Sequence, residues 1–397
     1  MTDVADLGPV AHDIVARSLS MIYQQYGVRS QDANLYLRKK PIERAGRLNF
    51  AGAARQLPTK QQSLYVFADL APLANWGHPA LHLFFEPTNG ILMHSESSIF
   101  PPLDFEQSPN DYDPLHVPKV YTVPQTKPFF LNRPAPSPRR RSRNAGRRHA
   151  ILFSGNSNNR HLNDLEFLFR VLVDLYYYKQ DDIYVLNFDG TPNYNGGPQP
   201  VVNWPGDNTP YRITSRIVGP GNRAAFDKVF GMIAKKIKPA DTLLIHTNNH
   251  GGDSSTYGEP WLCGYPNFGL VYKASEFGQR LATLPKCRSL IVGMEQCYSG
   301  GFMTPTVTQS KATDTSFASA VPANMSSMGG PTFDPWAWDW IAAFNGNYPG
   351  GTPLKHPVTP RPSTKEAFDY SYSVHVPGDS PVFQDAPPGV GLTQHLG

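Results

Sequence analysis

The chain has 397 residues, 40% of them hydrophobic, 12% aromatic and 17% charged. A disordered chain would be poorer in aromatics and richer in charge, so a folded protein long enough for two domains is expected. The formal net charge is a mild +4, and three cysteines are too few for a disulfide scaffold.

The opening Met1-Thr2-Asp3-Val4-Ala5-Asp6 has no basic or apolar leader pattern. No stretch approaches the roughly 18 apolar residues of a membrane span. A cytoplasmic protein without a membrane partner is the expectation.

Residues 9–26 carry helical spacing through Val10, Ile14, Leu19 and Ile22. Residues 63–70 read as a strand, and 81–95 as a hairpin turning at Asn89-Gly90. The stretch 1–105 is thus expected to be a smaller α+β domain or prodomain that recruits an unknown partner. His82 and His94 lie in it without metal-ligand spacing.

Residues 106–148 are expected to form a linker. Ten prolines fall between Pro101 and Pro138, and seven arginines and no acids lie in 133–148. A nucleic-acid patch is the competing reading. Few aromatics interleave with the arginines, so a solvated linker and no nucleic-acid partner are expected.

From His149 the pattern alternates strand and helix. Strands are expected at 150–154, 182–188, 242–246, 289–294 and 315–321. Helices are expected at 161–178, 223–238, near 274–284 and at 363–372. Continuous apolar strands between amphipathic helices indicate an α/β, doubly wound, mostly parallel sheet covered on both faces. This domain is placed at 149–347, with 348–397 as a Pro-rich extension packing on it.

In such sheets ligands bind beyond the carboxyl ends of the strands. There the sequence reads Gly155-Asn156-Ser157-Asn158-Asn159-Arg160-His161, then Asn248-Asn249-His250-Gly251-Gly252-Asp253, then Glu295-Gln296-Cys297-Tyr298-Ser299-Gly300-Gly301. Cys and His are the pair needed for thiolate acyl transfer. Adjacent glycines let a substrate backbone approach and free N–H groups to face an oxyanion. Read singly, Cys297 is equally a buried structural thiol, and His250 an ordinary loop residue. No Cys/His spacing fits zinc and no phosphate loop stands out, so no metal or cofactor is expected. Cys263 and Cys287 are taken as free thiols.

Together these segments resemble the legumain branch (asparaginyl endopeptidases) of the caspase-fold cysteine peptidases, clan CD. The resemblance rests on Asn158-x-Arg160-His161 after the first strand, on His250-Gly251 and on Glu295-Gln296-Cys297-Tyr298-Ser299-Gly300. It covers about 149–344, more weakly 363–385, and none of 1–148. It implies a caspase-like fold and a cysteine endopeptidase acting on a protein or peptide after Asn, less readily after Asp. It implies Cys297 as nucleophile, His250 as acid/base, Asn158 as the group orienting the imidazole, and the N–H groups of Cys297 and Gly251 as oxyanion hole. It implies Arg160, His161, Glu295, Ser327 (or Ser326) and Asp334 as the specificity pocket. A carboxamide offers one acceptor and two donor hydrogens. Arg160 suits the oxygen, and Glu295 and Asp334 suit the NH₂. A plain Arg160–Glu295 ion pair is the bland alternative. Two departures stand out, Asn249 for the family's Asp and Gln296 for its Ala. The other readings are a transpeptidase or ligase, and a non-catalytic binding module on the same fold. Self-cleavage at Asn144, or cleavage by a basic-specific protease at 139–148, would release the amino-terminal part as a prodomain.

Overall fold

Strands of the larger unit are apolar on both sides because both sides are covered. In β8 (Arg148–Ser154), Ala150 and Leu152 face one core, while Ile151 and Phe153 face the other. The computed structural model describes residues 8–43, 47–50, 53–56, 62–74, 78–98, 100–102, 104–105, 108–118, 146–194 and 203–397. By its internal contacts the chain divides into two units, Met1–Thr122 and Val123–Gly397.

The first unit is α+β. Helix α1 (Gly8–Tyr26) buries Ile14, Ser18 and Ile22, spaced one turn apart. Its strands are β1 (Asn34–Arg38), β2 (Arg47–Phe50), β3 (Ala53–Gln56), β4 (Leu64–Asp69), β5 (Ala80–Phe85), β6 (Leu92–Ser98) and β7 (Tyr112–His116). Five make one antiparallel sheet in the order β6-β5-β4-β1-β7. The hairpin expected at 81–95 is present, but its connection spans 86–91 rather than two residues. The Glu86 carboxylate accepts the N–H groups of Thr88 and Asn89, and Gly90 takes φ +64°. His82 is a satisfied core histidine, between Tyr65 Oη at 2.6 Å and Ser98 Oγ at 2.8 Å. Because β7 pairs with β1, the first unit runs past the expected boundary at 105. The Pro/Arg-rich run 119–145, with Asn144, lies outside the described residues.

The second unit is mixed α/β. Its elements are β8, α2 (Asn159–Asp174), β9 (Ile183–Asn187), β10 (Asn203–Trp204), β11 (Thr209–Pro210), β12 (Ile217–Gly219), α3 (Arg223–Ala234) and β13 (Thr242–Thr247). They continue through β14 (Gly251–Gly252), β15 (Trp261–Gly264), β16 (Gly269–Lys273), α4 (Ala274–Leu281), β17 (Ser289–Met294), α5 (Met303–Gln309) and β18 (Asp314–Ser319). Helices α6 (Pro335–Asn345) and α7 (Thr364–Val374) and strand β19 (Val382–Ala386) follow. Seven strands form the central sheet, ordered β12-β9-β8-β13-β17-β18-β19. All its pairings are parallel except that of β19 with β18. Helices α2, α6 and α7 pack on one face, and α3, α4 and α5 on the other.

The segment 348–397 is more than an extension. It supplies α7 to the core and β19 to the sheet edge. Near its end the buried Gln394 amide donates to Ser289 Oγ at 2.6 Å and to the Leu290 and Asp314 carbonyls at 3.1 Å.

Among the described residues no helix is long and apolar enough to cross a membrane. Parallel pairing puts the carboxyl ends of β8, β13, β17 and β18 along one edge. Chain order reverses between β8 and β13, which are neighbours in the sheet but are separated in sequence by β9 and β12. Loops leaving such a point diverge and open a crevice.

Candidate active site

Three loops meet at that edge. A Cβ built on Gly251, after β13, would lie 2.3 Å from the Cys297 carbonyl oxygen, after β17. Any side chain at 251 would therefore push the two loops apart. A Cβ on Gly155, after β8, would lie 2.3 Å from the Cys263 carbonyl oxygen in β15. Asn249 ties these loops together. It accepts from the Gly155 N–H at 2.8 Å and donates to the carbonyls of Cys263 at 2.6 Å and His250 at 3.0 Å. Gln296 ties β13 to β17, accepting from Thr247 Oγ1 at 2.6 Å.

Cys297 is fully buried. Its thiol lies 4.0 Å from the Ser327 carbonyl oxygen, and Ser327 Oγ lies 3.8 Å from Sγ. The next residue, Tyr298, has φ +61°, a left-handed conformation that turns the chain sharply after the thiol. The segment after β18 closes over this turn, with Tyr298 N–H donating to the Met325 carbonyl at 2.7 Å.

His250 is also buried, its ring centroid 4.7 Å from that of His161 and 5.5 Å from that of Phe268. With the Asn158 amide oriented so that its oxygen meets donors, it accepts from His250 Nε2 at 3.3 Å. It also accepts from the Arg160 Nη atoms at 2.9 and 3.0 Å. In that orientation Nε2 carries the proton and Nδ1 is the unprotonated ring nitrogen of a neutral imidazole. A second histidine in β13, His246, plays no part in this cluster. It stacks on Trp340 at 5.5 Å, and burial pushes its pKa down to about 3.

Helix α2 starts at this edge and presents Arg160, His161 and Asp164. The Asn158 N–H donates to His161 Nδ1 at 3.1 Å, leaving Nε2 toward Asp334 Oδ2 at 3.4 Å. Burial, then Arg160 and His250, hold His161 well below the usual imidazole range, so it is neutral. The ion pair of Arg160 is with Asp334, Nε to Oδ1 at 2.8 Å. Glu295 instead receives the Ala337 N–H in the first turn of α6, at 2.9 Å on Oε2. The bland alternative of an Arg160–Glu295 pair is therefore replaced by Arg160–Asp334.

The expected pocket residues thus gather around one short stretch, with two carboxylates that the motifs did not single out. Asp164 Oδ2 accepts the Asp334 N–H and Asn248 Nδ2, both at 2.8 Å. Asp379 accepts the Met328 N–H at 2.8 Å. Burial raises all four acids of the cluster. Asp334 is pushed up to about 6, with Arg160 opposing the rise. Asp164, Glu295 and Asp379 stand well above the carboxylate range, raised further by Asp334 in each case. Ser326 lies beside Tyr298 rather than the thiol, its Oγ 3.3 Å from the Tyr298 hydroxyl. Of the two serines weighed, Ser327 is the one against Cys297.

Four oxygens of this cluster are buried without a hydrogen-bond partner or ion pair among the described residues: Asp164 Oδ1, Asn248 Oδ1, Glu295 Oε1 and Asp379 Oδ2. Among the described residues no group of three His, Cys, Asp or Glu could hold a metal ion. A separate cleft of about 1490 Å³, lined by residues such as Phe167, Trp204, Tyr348 and Arg361, shares none of these residues.

No family model and no curated protein matches the chain. Among solved structures it is similar to protein GSU0716 from Geobacter sulfurreducens, at 13% identity and a TM-score of 0.40. That match covers 62% of this chain and 96% of the other. A likeness so faint assigns neither fold family nor activity.

Proposed function

We propose that this protein is a legumain-like cysteine endopeptidase of caspase-like fold that cleaves peptide bonds after asparagine. The observation that carries the reading is the convergence of Cys297, His250 and Asn158 from three neighbouring strand ends. A sheet of parallel strands with the thiol loop beside the histidine loop supports the caspase-like assignment.

The proposed chemistry uses these groups in turn. His250 Nδ1 takes the proton of Cys297 Sγ while Asn158 holds Nε2. Sγ attacks the carbonyl carbon, forming the C–S bond. The C–N bond then breaks as His250 returns the proton to the leaving amine. Water, deprotonated by His250, attacks the thioester, releases the acid and restores the thiol. An amine in place of water would give a new peptide bond, which is the transpeptidase outcome. The N–H groups of Gly251 and Cys297 belong to two loops in close contact, and they are assigned to the developing oxyanion.

The carboxamide preference is supported by the groups around the pocket. An asparagine side chain brings an oxygen for the Arg160 guanidinium and two donor hydrogens for buried oxygens such as Asn248 Oδ1, which has no hydrogen-bond partner among the described residues. An aspartate brings none unless it is protonated. Cys297 is fully buried with Ser327 against it, so substrate binding requires a local rearrangement around Ser327.

A fluorogenic peptide with asparagine at the cleavage position tests the proposal. Wild type is expected to release the fluorophore, and Cys297→Ala to be slower by about 10³-fold or more. Equal release by both would sink the assignment. The full burial of Cys297 favours the second reading, a non-catalytic module, and an absence of cleavage by wild type would select it.

A further inference from the structure

We infer that Asp164, acting through Asn248 and the backbone of Asp334, is a positioning residue that sets the pocket for an asparagine side chain. The inference rests on the endopeptidase reading and extends it to residues outside the motifs.

Asp164 follows Arg160 by four positions on α2, so both lie on one face of the helix. It is fully buried. One of its oxygens, Oδ2, receives two donors, the Asp334 N–H and Asn248 Nδ2, each at 2.8 Å. The same Asn248 nitrogen donates to Asp334 Oδ2 at 3.0 Å. A single NH₂ group therefore stands between two carboxyl groups and holds them in one arrangement. Asp334 in turn meets Arg160 Nε at 2.8 Å and His161 Nε2 at 3.4 Å. Removing Asp164 would free the Asp334 backbone and the Asn248 amide together, and so loosen the seat of the Arg160 guanidinium.

The same bonds bear on selectivity. Both hydrogens of the Asn248 NH₂ are used, and Asn248 Oδ1 is buried without a donor among the described residues. A buried amide oxygen favours a ligand that brings an N–H group. The relay thus both places Arg160 for the carboxamide oxygen and leaves an acceptor for its nitrogen.

The test compares wild type, Asp164→Ala, Asp164→Asn and Asn248→Ala on an asparagine peptide, together with iodoacetamide alkylation of Cys297 read by peptide mass. Asp164→Ala and Asn248→Ala are expected to raise KM by about tenfold or more while kcat stays within about threefold. Alkylation of Cys297 should not change, because the reagent does not use the pocket. In Asp164→Asn the amide oxygen replaces Oδ2 as acceptor, so KM is expected within about threefold of wild type. A wild-type KM in either alanine variant overturns the inference, as does a fall in kcat with KM intact. If Asp164→Ala does not fold, Asn248→Ala and Asp164→Asn decide alone by the same criteria. A wild-type protein that cleaves no asparagine peptide overturns the underlying reading, and this inference with it.

Discussion

Asn249 accepts the Gly155 N–H and donates to the carbonyls of Cys263 in β15 and of the adjacent His250. The resembled family has Asp at this position. An aspartate here would keep the bond from Gly155 but set a carboxylate oxygen against the Cys263 and His250 carbonyls. Asn249→Asp is therefore expected to cost about 1–3 kcal/mol, read as a lower thermal midpoint with a smaller loss of activity for the folded fraction. An unchanged midpoint would show that the amide does not brace these loops. Cys297, His250, Asn158 and Arg160 were legible in the sequence because each sits in a short segment after an apolar strand. Asp164, Asn248 and Asp379 were not, since their significance lies in partners up to 170 positions away, as in the Asp334–Asp164 bond. The pairing of Arg160 likewise needed the structure, because Glu295 and Asp334 are equal candidates on charge alone.

The amino end of α6 is where elements and electrostatics meet. Asp334 precedes its first turn, Pro335 occupies the first helical position, and Glu295 receives the Ala337 N–H. This helix escaped the sequence reading because Pro335–Asn345 is apolar on nearly every face and shows no amphipathic period. The short sheet β14-β15-β16 escaped because strands of two to five residues carry little pattern. The long strands β8, β13 and β17 were legible because burial on both faces demands unbroken apolar runs. The acids around α6 give a pH signature. Asp334 has a folded pKa of about 6, raised by burial against Arg160, and so does Asp339, raised by burial against Tyr348 and Lys355. A carboxyl raised on folding binds more protons in the native state between about pH 4 and 6. Stability therefore falls as pH rises through that window, and the cost is fully present above it. Asp164, Glu295 and Asp379 shift in the same direction. The thermal midpoint is expected to be higher near pH 5 than near pH 7.5. A midpoint that climbs steadily toward neutral pH would show that these carboxyls are not so raised.

Across the whole molecule, composition resolves into position. The seven arginines of 133–148 carry the basic excess, and the remaining residues net −3. The domain boundary was less legible. β7 follows a proline-rich approach yet completes the first sheet, and β19 lies in a proline-rich tail yet completes the second. Both are edge strands, whose pairing depends on a distant partner rather than on local pattern. The two units have separate cores, and all the proposed catalytic and pocket residues belong to the second. All three thiols, Cys263, Cys287 and Cys297, are buried, so thiol reactivity alone does not mark a nucleophile. Recognition of asparagine next to a reactive thiol does. The most direct measurement is therefore labelling of the full chain with an electrophile carrying an asparagine side chain, followed by intact mass and peptide mapping across about pH 4 to 8. The account predicts one adduct, on Cys297, that His250→Ala abolishes and excess asparagine peptide suppresses. No adduct at any pH, or an adduct on Cys263 or Cys287 instead, would contradict it.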